Sequence, residues 1–171
     1  MSYLFTSVLA DGDIDWKRSL TAKGQPGIAQ LFVVVTDDDL NLLGEWTELS
    51  SSVLRYYSEA VASGSICVGH SVQYVYGHLR AEMIQRGTDP YDGRVKTLCT
   101  MLGLAGMFPK RNGRLGWPTF DESCDHFGIT RAGTETAEDN ARCLVQVFKG
   151  MERLRDGILP EVTIWKERTQ K

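Results

Sequence analysis

The stretch that most limits what this chain can become is residues 28–36, IAQLFVVVT, a nearly unbroken apolar run rich in β-branched side chains. Such a run reads as a strand buried within a sheet. Asp37, Asp38 and Asp39 follow it as a short acidic turn, and residues 40–49 return as its partner, so the pair is read as a β-hairpin. Residues 3–9 form another apolar run, ended by Asp11, Gly12 and Asp13, and supply a first strand. Residues 16–27 contain Gly24, Pro26 and Gly27, which interrupt regular structure, and are expected to be a loop.

Downstream the pattern changes period. Ser51 and Ser52 can cap a helix over residues 53–62, Gly64 ends it, and residues 66–68 make a very short buried strand. Val72, Tyr76, Leu79 and Met83 recur at helical spacing and predict a helix over 72–86, stopped by Gly87. A loop with Pro90 and Gly93 leads to an edge strand at 95–98 and a short helix at 100–105. Residues 110–116 (KRNGRLG) are a basic, glycine-punctuated loop, and Pro118 is placed in the first turn of a helix over 119–127 closed by Gly128. The last helix spans 136–155, with Ala137, Ala141, Leu144, Val145, Phe148 and Met151 on one face. Strands first, then alternating helices and strands, describe an α/β layered domain, a central mixed sheet flanked by helices over residues 1–157, followed by a weakly structured tail over 158–171.

Composition narrows the function classes. The 171 residues suit one domain with a real core. The net charge of −3 supplies no global field that would draw the molecule onto a polyanion, so any nucleic-acid contact rests on a local patch. The four cysteines, Cys67, Cys99, Cys124 and Cys143, form no Cys-x-x-Cys pair and read as reduced, buried thiols. Cys124, His126 and Cys143 could meet a metal, but packed core residues are the commoner outcome for such scattered side chains. Residues 1–10 lack the positive start and long apolar run of a signal peptide, and no segment reaches the length of a membrane span. A cytosolic protein is expected.

Four segments, in order, resemble the DnaQ-like (DEDDh) 3′–5′ exonucleases. IAQLFVVVTDDDLNLLGE resembles the hairpin after the first catalytic strand. VGHSVQYVYGHLRAEM resembles the second motif, GHNVxFDxxFLRxE. KTLCTM with GRLGWPTFDESCDHFGI resembles CTM…WPKLxELxxHFGI, and TETAEDNARCLVQVF resembles the third motif, HxALxDAxATAxVF. The match covers residues 28–151 and implies an RNase H-like fold. In that family carboxylates hold two Mg²⁺ or Mn²⁺ ions that clamp the attacking and leaving oxygens, and a histidine activates water.

Set on this chain, the resemblance puts Thr6 and Val8 at the first motif's Asp-x-Glu, Ser71 at the second motif's asparagine and Val75 at its aspartate. Thr134 falls at the third motif's histidine, and Asp139 matches its aspartate. A different alignment of the first strand takes Asp11 and Asp13 as the metal pair with Asp139, although the Asp-Gly-Asp sequence also makes a good exit turn. The resemblance therefore implies a pseudo-exonuclease, a binding or regulatory module with a vestigial site (Thr6, Val8, Val75, Thr134, Asp139) and no cofactor. The alternative is an active exonuclease of DNA or RNA with displaced ligands, which would need Mg²⁺ or Mn²⁺. The partner expected is single-stranded nucleic acid or a protein. For nucleic acid the candidates are Arg80, Lys110, Arg111 and Arg114 on phosphates, with Trp117 available to stack on a base.

Overall fold

The computed structural model describes residues 2–20, 22, 24–88, 90–109, 116–133, 135–154 and 161–166. The strand at the N-terminus, β1 (Ser2–Ala10), runs antiparallel to β2 (Ile28–Asp37), which is in turn antiparallel to β3 (Leu42–Trp46). On its other side β1 lies parallel to β4 (Ile66–Gly69), and β4 parallel to β5 (Lys96–Cys99). Among the described residues the sheet has six strands in the order β3-β2-β1-β4-β5-β6, where β6 (Thr163–Ile164) is antiparallel to β5. It is the mixed, helix-flanked α/β sheet expected from the sequence.

Alternation along β1 and β2 decides what covers each face. Leu4, Val8, Leu31 and Val33 point toward α1 (Ser51–Ala62) and α2 (Val72–Gln85), where they meet Leu54, Tyr57, Val75 and Leu79. Phe5, Phe32 and Val34 point the other way, onto Ala141, Leu144 and Phe148 of α5 (Ala137–Glu152). Both faces are filled, which is why residues 28–36 are apolar nearly throughout rather than alternating. A smaller cluster seats α3 (Thr100–Leu104) and α4 (Phe120–His126) against α5 through Leu104, Cys124, Cys143 and Val147.

Several boundaries differ from the expectation. β3 is shorter than residues 40–49: Leu40 turns left-handed (φ 61°), and the Asp37 carboxylate accepts from the backbone N–H groups of Asp39 and Asn41 and from the Asn41 side chain. Those bonds, the Asn41 side-chain amide first, hold the Asp37 pKa below its usual value. The α1 cap is Ser50, whose hydroxyl accepts from Val53 N–H, not Ser51 or Ser52. Pro118 lies before the helix, because Thr119 is the N-cap of α4 in a reciprocal capping box with Glu122. A 3-10 turn (Ala105–Met107) follows α3. β5 is not an edge strand: part of the tail pairs with it as β6, and Trp165 packs on Tyr76 and under the Arg80 guanidinium.

All four cysteines are buried and free. No helix is long and apolar enough to cross a membrane among the described residues.

Candidate functional site

Parallel β1 and β4 end at the same margin of the sheet, and β4 runs into α2 through only His70 and Ser71. A cleft of about 510 Å³ opens there. Residues 6–10 form its floor, His70, Tyr74 and Val75 one wall, Glu135, Asn140 and Leu144 another, and Thr119, Phe120, Asp121 and Arg131 its third side.

The turn into α2 is pinned by a histidine. His70 Nε2 lies 3.0 Å from the Pro118 carbonyl, which can only accept, so Nε2 carries the proton. Nδ1 is then the acceptor for the Thr100 hydroxyl at 3.1 Å. Burial pulls the His70 pKa below its ordinary value, partly opposed by the Pro118 carbonyl. Both ring nitrogens are thereby spent on holding α2, α3 and the segment before α4 together. Ser71 adopts φ 62°, ψ 54°, the left-handed conformation that asparagine tolerates better than serine.

The floor is closed from below. Thr6 is 1% exposed, donates to the Leu4 carbonyl at 3.0 Å and sits 3.0 Å from the Tyr57 hydroxyl, which bonds Cys67 Sγ at 2.8 Å. Burial pushes the Cys67 thiol up to about 12 and raises Tyr57 well above its usual value, so this chain stays neutral. Val8 and Val75 are both buried.

On the opposite side Arg131 gathers the charges. Its guanidinium donates to Asp121, to Asp139 Oδ2 at 3.4 Å and to Asn140 Oδ1 at 2.6 Å, and lies 5.5 Å from the centre of the Phe120 ring. Asp139 also accepts from the Ala132 N–H. α5 begins at Ala137 with Thr136 as its cap, so Asp139 and Asn140 both lie in its opening turns, where both meet Arg131 and Asn140 also lines the cleft.

Of the residues singled out in the sequence, Thr6, Val8 and Val75 come together in the cleft. Asp139, expected with them, is not among the lining residues, whereas Asn140 is, and both accept from Arg131. Glu135 and Asn140, each one residue on from Thr134 and Asp139, line the cleft. Thr134 lies outside the described residues, as do Lys110, Arg111 and Arg114. Asp11 and Asp13 are exposed beyond the end of β1, with the Asp11 N–H bonded to the carbonyl of Gly27 just before β2, and neither lines the cleft. Arg80 is committed elsewhere, to the Tyr91 carbonyl, to Asp92 at 2.7 Å and to the Trp165 ring. Trp117 is 57% exposed, two residues before the α4 cap. Among the described residues, no three His, Cys, Asp or Glu side chains converge as a metal group would require.

No protein-family model and no curated protein matches the chain. Solved structures do match, and they show the fold: it is the RNase H-like fold that the DnaQ-like exonucleases have. E. coli exonuclease I in complex with a dT13 oligonucleotide superposes with a TM-score of 0.61 at 12% identity, over 91% of this chain and 41% of that one. The nuclease domain of 3'hExo, a DEDDh family member bound to rAMP, gives 0.62 at 9% identity over 95% and 96%. The zinc-bound form of the E. coli exonuclease I–ssDNA complex gives 0.62 at 12% over 92% and 42%. The chain thus spans about two fifths of exonuclease I and nearly all of the 3'hExo nuclease domain.

Proposed function

We propose that this chain is a pseudo-exonuclease, a binding or regulatory module that keeps the exonuclease fold and its cleft without cutting phosphodiesters. One observation carries the reading. Where the resemblance implies metal carboxylates, the chain carries Thr6, Val8, Val75 and the single matching carboxylate Asp139; the first three line the cleft together with Asn140, while Asp139 is paired with Arg131. Two hard divalent ions need several anionic oxygens at bonding distance. Valine offers none, threonine and asparagine offer neutral ones, and the Thr6 hydroxyl is already bonded within the core. These residues do not fit a two-metal group. Nor is His70 free to activate water, since both its nitrogens are engaged.

The test is incubation of end-labelled single-stranded DNA and RNA with the protein and either Mn²⁺ or Mg²⁺. No shortening is expected beyond a chelator control, and Mn²⁺ should leave the thermal midpoint unmoved. Metal-dependent loss of 3′ nucleotides would establish the active alternative instead. A nucleic-acid partner held without cleavage is a second reading, favoured by the exposed Trp117 and by the oligonucleotides bound to E. coli exonuclease I.

A further inference from the structure

A cleft that binds without metals still has a charge, and here that charge selects the ligand. In a two-metal exonuclease the cations make an acidic cleft acceptable to phosphate. Among the described lining residues Arg131 is the one side chain of fixed positive charge, and three of its N–H directions are already given to Asp121, Asp139 and Asn140. The other groups that could greet an anion are spent as well. His70 is neutral and doubly bonded. The N-termini of α4 and α5 carry Asp121, Glu122, Glu138 and Asp139 in their first turns, which offset the helix dipoles.

The acceptors, by contrast, are open. Glu135 is exposed at the cleft and makes no ion pair among the described residues. Ser7 is only 9% exposed, lines the cleft, and its hydroxyl has no hydrogen-bond partner among the described residues. Tyr74 and Phe120 add ring faces, and Phe120 already holds one guanidinium at 5.5 Å. Apolar walls with a few convergent acceptors and, among the described lining residues, a net negative charge fit an arginine or lysine side chain, with its apolar stem and charged head, better than a phosphodiester.

Resting on the non-cleaving reading above, we infer that the cleft receives a cationic side chain presented by an apolar-flanked segment of a protein partner. Glu135 pairs with the incoming charge, the Ser7 hydroxyl accepts one of its N–H groups, and Tyr74 lies along its stem.

The probe is a fluorescein-labelled peptide carrying one arginine between apolar residues, followed by fluorescence anisotropy. Its control carries citrulline, a neutral isostere, at the same place. The arginine peptide should bind in a salt-sensitive way and the citrulline peptide more weakly. Glu135→Gln should weaken the arginine peptide about tenfold, as loss of a charged hydrogen-bond partner does, with the circular dichroism spectrum unchanged. Unlabelled oligothymidylate should fail to displace it. Equal binding of both peptides, no binding, or displacement by oligothymidylate would overturn the inference. So would spermidine or arginine amide binding as tightly as the peptide, because the ligand would then be a free cation. The cleavage assay above is read separately, so nuclease activity would bring down the reading beneath while these results bear on the occupant alone.

Discussion

At the residue scale, α2 carries a titratable side chain on its buried face. His78 is fully buried, its ring meets Tyr74 edge-on at 4.4 Å between centroids, and neither ring nitrogen has a hydrogen-bond partner among the described residues. Burial pulls its pKa below 6.5, while Asp13 from the β1–β2 connection and Glu82 from α2 oppose the shift. His70 is shifted in the same direction. A base with a depressed folded pKa binds its proton more readily when unfolded. Stability is therefore complete above about pH 6.5 and falls as pH drops from there to the folded pKa. His78→Leu should reduce that dependence: its urea midpoint should drop less than the wild type's between about pH 7.5 and about pH 5.5. An unchanged pH slope in the variant would show that His78 titrates normally. The sequence showed His78 only as one helical residue among many, since nothing in a spacing pattern reports an unmet hydrogen bond.

At the element scale, legibility follows periodicity. β2 and α2 were readable because each carries a long apolar pattern of one period, and α5 because Ala141, Leu144, Phe148 and Met151 recur along one face. β6 has only two residues, and its place depends on β5 being beside it, which no local signal contains. The mouth of the cleft was half legible for a related reason. Thr6, Val8 and Val75 follow from strand alternation and a motif, whereas Arg131 and Glu135 come from the connection before α5, and Asn140 from α5 itself, whose start is set by the Thr136 cap. The packing of α5 on α4 offers a direct check. A Cβ on Gly150 would lie 2.5 Å from Phe127 Cδ1 and 2.7 Å from its Cγ, near the stiff base of that side chain. Gly150→Ala gains about 1 kcal/mol of helix propensity, but overpacking costs about 1–3 kcal/mol. The variant should come out destabilised by about 1 kcal/mol in urea unfolding, and a stabilised variant would mean that α4 yields easily.

At the scale of the whole molecule, the sheet order places β1 at the centre of the core and at the floor of the cleft at once. Changes to that floor are thus changes to stability. Thr6→Asp puts a carboxylate where the residue is 1% exposed, and should cost about 3–5 kcal/mol, read as a lowered urea midpoint in a chelator. Combining it with Val8→Glu, Val75→Asp and Asn140→Asp should give a protein that is weaker still without metal and regains stability with Mn²⁺, while the wild type ignores the ion. A quadruple variant as stable as wild type in chelator would show that the floor is more open than it looks. The Thr6–Tyr57–Cys67 chain has a historical consequence as well. Each single step toward a carboxylate-lined site breaks into a neutral, satisfied core before the remaining ligands exist to recruit an ion. The intermediates would be worse folded and no more active. On the proposed non-cleaving reading, the floor would act as a ratchet: a lineage that had reached it could not walk back one substitution at a time except through proteins less fit to survive.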